Sequence, residues 1–240
     1  MRYYLAALII LLALWQAAAY VVNKPYLPPL TDVVARALSD GPTLAKNLAA
    51  TLARVGAAAS IALASGIAAG LAASWLSERV SANLLRAAVL LTYPIPHVAL
   101  LPILLHLFGI EASKVALMSL IAFYPVALSV MEWTQRFPRD LAALIYTMGG
   151  GRLAVVRYVV LPSALPGIIT GLKIALNTAY SVSFIAESLA LTDGLGALIY
   201  DSWHRLDFAE MYAAILTLSA AGVLTYAAMS ALEKKLTEWL

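Results

Sequence analysis

Apolar runs long enough to cross a bilayer recur along this 240-residue chain, separated by short polar turns. A hydrocarbon core about 30 Å thick takes roughly 20 residues of helix. Runs of that kind fall at about 3–22, 52–76, 84–108, 114–133, 164–189 and 211–232, which predicts about six transmembrane helices and an all-α, polytopic membrane fold. The first run could instead be a cleaved signal, with Ala17, Ala18 and Ala19 as small residues. Only Arg2 precedes it, however, and it exceeds the roughly 7–15 apolar residues of a signal core, which favours an uncleaved span. Residues 23–42 hold Pro25, Pro28, Pro29 and Pro42 around Val33, Val34, Ala37 and Leu38, a short surface element with one apolar face. Gly66 and Gly70 in the second run have the small-xxx-small spacing that lets another helix approach, read here as packing within one subunit ahead of a dimer seam. Tyr93, Pro94, Ile95, Pro96 and His97 interrupt the third run, because two prolines this close break the helix ladder. Irregular backbone at membrane depth is stable only where protein or a water-filled cavity covers it.

The longest patterned interruption runs from Phe137 to Pro166. Leu141, Ile145 and Met148 recur at i, i+4 and i+7 with Leu144 beside them, predicting a short helix with an apolar stripe. Gly149, Gly150 and Gly151 stop that helix, since glycine loses most backbone entropy when held helical. A second short helix is expected from Arg152 to Val160, yielding near Pro162.

Composition agrees with the pattern. The chain is 62% hydrophobic and 12% charged, with mean hydropathy +0.86, against about 45–50% apolar and about 25% charged for soluble domains. The net charge of +3 points to no nucleic acid, and the absence of cysteine removes disulfides, thiolate metal sites and cysteine nucleophiles. There is no G-x-x-x-x-G-K-[ST] phosphate loop and no G-x-S-x-G elbow. His97, His106 and His204 form no metal set and read as structural histidines. With the N-terminus cytoplasmic, that side holds Arg2, Arg79, Arg86, Arg136, Arg139, Arg152, Arg157, Lys234 and Lys235, nine basic residues against six at Lys24, Arg36, Lys46, Arg54, Lys114 and Arg205. Basic residues in short loops set orientation, so both termini and the central loop are expected in the cytoplasm. Trp75, Trp133 and Trp239 then fall at the cytoplasmic interface, where indoles gather.

A few polar groups in the spans are candidates for lining a pathway. Asn177, Tyr180 and Ser181 share a face of the fifth run, with Ser183 nearby, and suit either a pathway or interhelical hydrogen bonds worth about 0.6 kcal/mol each. Glu187 is read as the one carboxylate inside a predicted span; a mid-bilayer acid costs roughly 2.5–3.5 kcal/mol, so it either gates the route or snorkels to the outer interface. Lys173 can snorkel inward along its stem.

The central loop resembles that of binding-protein-dependent ABC importer permeases, whose pattern is Glu-Ala-Ala, three residues, Gly, nine residues, Ile, one residue, Leu-Pro. Gly149, Val159, Leu161 and Pro162 match; the glutamate position holds Ala143 and the alanine positions hold Leu144 and Ile145, while Ala142 and Ala143 fit a slipped register. Tyr93-Pro94-Ile95-Pro96, Phe108-Gly109-Ile110, Gly171-Leu172-Lys173-Ile174-Ala175-Leu176, Ala186-Glu187 and Gly194-Leu195-Gly196 extend the resemblance to the nitrate, sulfonate and taurine group, with His97 where that group carries another proline. The resemblance implies a type I importer permease fold as a single domain over 1–240, with a first span and external segment at 1–42, a core at 43–240 and a cytoplasmic coupling loop at 134–163 between helices 4 and 5. It implies that Ala143, Leu144, Ile145, Met148, Gly149, Arg152, Leu161 and Pro162 couple to an ATPase; the helix break and the polar groups of the spans leave Tyr93, Pro94, Pro96, His97, Asn177, Tyr180, Ser181 and Glu187 as the candidates for the pathway. The implied partners are a second permease subunit as a homodimer, two cytoplasmic ATPases that bind ATP and Mg²⁺, an extracytoplasmic solute-binding protein and membrane lipid. No cofactor is expected in this chain and no enzymatic activity of its own. Two other readings stay open: the substrate-capturing component of a vitamin transporter, and a membrane scaffold.

Overall fold

The computed structural model describes residues 2–75, 79–136, 139–189 and 192–237. Among these residues the regular structure is all helix: α1 (Arg2–Val22), α2 (Leu30–Ser39), α3 (Gly41–Trp75), α4 (Arg79–Thr92), a 3-10 turn (His97–Leu100), α5 (Leu101–Trp133), α6 (Arg139–Thr147), α7 (Arg152–Val155), a π-helical turn (Val156–Val160), α8 (Leu161–Ser188), α9 (Leu195–His204) and α10 (Phe208–Thr237). Four helical stretches are long and apolar enough to cross a membrane, Gly41–Ala73, His97–Trp133, Arg152–Ser188 and Phe208–Leu236, and two shorter apolar helices cover Ala6–Val22 and Ala82–Thr92. Each of the six expected runs therefore has a helix, though the third is divided. Helix α4 ends at Thr92, the two prolines make the turn, and the chain resumes at His97. α5 then passes through Gly109 at φ +74 and ψ −179, a conformation reserved for glycine, so the fourth helix begins directly after it and takes in Glu111 and Lys114.

Two boundaries differ from expectation. α3 starts at Gly41, ahead of the expected residue 52, because Pro42 sits in the first turn, where no intrahelical donor is needed. The chain does not break at Pro162: the π turn precedes it and α8 continues from Leu161 with Pro162 in its own first turn. A π turn shifts the hydrogen-bond register, so the proline removes no bond that the helix would otherwise make.

The chain divides into two compact units, residues 1–53 with 187–221 and residues 54–186 with 222–240. In the first, Val33, Leu44, Leu195, Leu198, Ile199, Ala213 and Ala214 form a core against which Trp15 and Ala37 pack. Val33 and Ala37 turn inward while Val34 and Leu38 stay exposed, so the expected four-residue face of α2 is half as wide. Gln16 of α1 accepts the Leu30 N–H at 2.7 Å and Trp15 donates to the Pro28 carbonyl at 3.1 Å, which sets the entry of α2. In the second unit α5 is the central helix. A methyl group built at Gly66 of α3 would lie 2.6 Å from Val126 Cγ1, and one at Gly171 of α8 would lie 2.8 Å from Val126 Cα. Gly70 meets Val130 and Gly167 meets Trp133 just as closely. Gly66 and Gly70 thus serve packing within the subunit, and Ala62, Ala122, Ala164 and Ala175 complete the close-packed seam.

Candidate functional site

The central loop is built from α6, a glycine reversal and α7. Gly150 N–H donates to the Ile145 carbonyl at 2.9 Å and Gly149 N–H to the Tyr146 carbonyl at 3.0 Å, with Gly149 at φ +80, which is the paired-bond ending that glycine favours. Gly151 is extended and α7 restarts at Arg152. The reversal splits the expected apolar stripe. Leu141, Leu144 and Met148 lie at i, i+3 and i+7 and are exposed, Met148 by 75%. Ala142 and Ile145 turn inward onto Val155, Val159 and Val160, and a methyl at Gly150 would lie 2.6 Å from Ile145 Cγ2. Ile145 is therefore a buttress of the loop and not part of its outer face. Ala143 and Arg152 are exposed, Leu161 is partly exposed and Pro162 is half-buried. Phe137 and Pro138 lie outside the described residues.

The pathway candidates are not brought together on one surface. Tyr93, Pro94 and Pro96 are exposed at the turn, but His97 is buried with its Nε2 2.9 Å from the Tyr124 hydroxyl. The three-residue face of α8 is split: Tyr180 is buried and its hydroxyl lies 2.8 Å from Thr225 Oγ1 of α10, while Asn177 and Ser181 are exposed, Ser181 Oγ donating to the Asn177 carbonyl at 3.1 Å. Lys173 does not run free toward the interface; its Nζ is 2.7 Å from Glu233 of α10.

Glu187 overturns the snorkelling alternative, because it is fully buried. Its Oε2 accepts the Thr51 hydroxyl at 3.0 Å and the Gly196 N–H at 2.9 Å. Leu195 N–H donates to Thr51 Oγ1 at 2.9 Å and Gly194 N–H to Asn47 Oδ1 at 2.8 Å, so side chains of α3 and α8 take up the opening N–H groups of α9. A negative charge at a helix N-terminus is favourable. Gly194, at φ +111, has no room for a side chain because the Glu187 carboxylate fills that space.

Sequence reasoning missed a second charged group. Arg54 and Lys114 are buried, and the carboxylate of Glu111 receives Arg54 Nη2 at 2.7 Å and Lys114 Nζ at 2.9 Å. Glu187 is consequently not the one carboxylate inside a span. The usable signal was Arg54 inside an alanine-rich run, since a basic residue there needs a carboxylate. The same unit carries an apolar groove of about 690 Å³ lined by Ile61, Ser65, Phe108, Ala112, Val115 and Ser119 among others. Ser65 and Ser119 donate to the carbonyls of Ile61 and Val115 on their own helices, so the groove offers a solute little polar recognition.

Residues 64–238 match the family described as "Binding-protein-dependent transport system inner membrane component". The chain is 33% identical to the taurine transport system permease protein TauC of Escherichia coli (strain K12), over 98% of this chain and 88% of that protein. It is 35% identical to the riboflavin transport system permease protein RibX of Chloroflexus aurantiacus (97% and 88% covered) and 30% to the formylaminopyrimidine transport permease protein ThiX of Halalkalibacterium halodurans (96% and 93%). An inward-facing structure of the MetNI methionine ABC transporter superposes with a TM-score of 0.72 at 21% identity, covering 81% of this chain and 96% of that one. The chain belongs to the binding-protein-dependent inner membrane component family and is the membrane-spanning permease subunit of an ABC importer.

Proposed function

We propose that the outer face of α6 is the surface through which this permease is driven by a cytoplasmic ATPase, and that the chain works as a homodimer importing a small organic solute, a sulfonate or a heterocyclic vitamin precursor, delivered by an external binding protein. The observation that carries the reading is the exposed triplet Leu141, Leu144 and Met148, presented by the Gly149 reversal and buttressed from behind by Ile145. Burying one such side chain in a partner groove contributes about 1.5–3 kcal/mol. With Ala143 where the family pattern has glutamate, apolar burial carries the attachment. ATP and Mg²⁺ belong to the ATPase; closure of the two ATPases moves the α6 pair, and the permeases switch between inward and outward access to the extent that ATP binds the two states differently. The basic residues of the loop support a cytoplasmic placement, with both termini on the same side.

The test is co-purification. Met148→Asp and Leu144→Asp are expected to insert and fold but to lose the ATPase on mild detergent extraction; retention at the wild-type ratio by both variants would refute the assignment. Solute uptake that needs no binding protein would instead favour a vitamin-capture component, and uptake absent with every ATPase present would favour a scaffold.

A further inference from the structure

Helices α6 and α9 end in the same hydrogen-bond motif, with different residues at its left-handed position. In α9, Asp207 N–H donates to the Ser202 carbonyl at 2.9 Å and Leu206 N–H to the Trp203 carbonyl at 3.0 Å. The left-handed residue is Leu206 at φ +60, where α6 uses Gly149. A leucine there is strained by contact of its Cβ with the backbone, and glycine would not be. Burial does not offset that strain, because the Leu206 side chain is 70% exposed. Beside it Trp203 is 53% exposed and stands edge-on to His204, which in turn lies against Tyr200 with ring centroids 4.1 Å apart.

The turn is held rigidly from both flanks. Arg205 Nε is 3.1 Å from Asp201 and its Nη2 reaches Glu210, the buried Ser202 hydroxyl donates to Glu210 at 2.7 Å, and Arg36 Nη2 is 2.8 Å from Asp207. Burial works against the charge of Arg205, and Glu210, Asp201 and Asp207 more than offset it, holding the guanidinium above its ordinary pKa. The charged groups of this segment engage one another, and the half-exposed Asp201 and Arg205 surround the outward-facing Trp203 and Leu206. Strain kept at an exposed position in a rigid setting points to recognition, and preordered aromatic and aliphatic anchors inside a polar rim are what protein interfaces use.

We propose that the knuckle Trp203–Leu206 docks the external solute-binding protein, an inference that rests on the importer reading above. One crossing, by α8 within the candidate span Arg152–Ser188, separates it in sequence from α6 and the glycine reversal, so a single crossing puts the two on opposite sides of the membrane. Asp201, His204, Arg205 and Asp207 around the apolar pair suit a water-borne protein surface with a small apolar socket, whereas hydrocarbon would have to take those charges in.

The experiment titrates the purified binding protein encoded with this chain against the intact importer in lipid nanodiscs while ATP hydrolysis is followed. Leu206→Gly is expected to melt at or above the wild-type temperature and to keep basal and plateau hydrolysis, while half-saturation moves to on the order of tenfold more binding protein, as loss of one anchor gives. Trp203→Ala is expected to do the same. A Leu206→Gly titration that superposes on wild type, or a lowered melting temperature with unchanged half-saturation, overturns the proposal. A photocrosslinker at position 206 is expected to capture the binding protein; capture of lipid or of a second copy of this chain overturns it. Wild-type hydrolysis that no binding protein stimulates brings down the importer reading itself, and the knuckle with it, whereas normal stimulation of both variants brings down the knuckle alone.

Discussion

Glu187 shows how one residue can be identified from sequence without its role being read. An acid in an apolar run had to be satisfied, and the run alone shows it. That it would serve as the opening partner of α9 depends on Thr51, which lies 136 positions away and carries no sequence pattern of its own. Charge-assisted hydrogen bonds of this kind contribute about 1.5–3 kcal/mol. Glu187→Gln is therefore expected to lower the melting temperature of the detergent-solubilised protein, and Thr51→Val to do so less. Because both act on one network, the double variant should fall short of the sum by about 0.5–3 kcal/mol, measured as a double-mutant cycle; additive losses would separate the two residues. Gly149 belongs at this scale too. Gly149→Val places a β-branched residue at φ +80, with no neighbour within 4 Å to clash with, so the strain is local and the variant should insert normally yet bind its ATPase poorly.

At the scale of elements, the helix content and the order of the six apolar runs were legible because hydrophobic length is a strong signal in membrane proteins. The glycine reversal after α6 was legible for a similar reason, since three consecutive glycines admit few other structures. Which side of α6 faces outward was not, because Leu141, Leu144, Ile145 and Met148 are all apolar and only the path of α7 decides among them. Ile145→Asp thus tests a different property from Met148→Asp. It places a charge against Val155, Val159 and Val160 and should unravel the loop, seen as fast amide exchange over residues 139–160, whereas Met148→Asp should leave exchange unchanged. The uninterrupted passage through Pro162 was illegible because a proline reads as a break unless the π turn before it is known.

For the whole molecule, the absence of native cysteine makes topology directly measurable. An impermeant maleimide should label Asp201→Cys in intact cells and Met148→Cys only after permeabilisation; the reverse would invert the orientation and remove the coupling reading. The seam around α5 bears on movement. Val126 is enclosed by Gly66 on one flank and Gly171 on the other with no spare volume, so Gly66→Leu or Gly171→Leu should cost at least about 1–3 kcal/mol or prevent folding. Interfaces packed to this density are bistable or fixed, not elastic. α3, α5 and α8 are thus keyed together along that seam like a splined shaft, with no soft mode in which a small displacement could dissipate. Compliance lies instead at Gly109, whose missing side chain would touch nothing and whose φ of +74 is held open by glycine alone. Torque applied to the shaft arrives at that joint, and the segment 79–108 can turn there only by unseating Val89 and His97 from their places against α5.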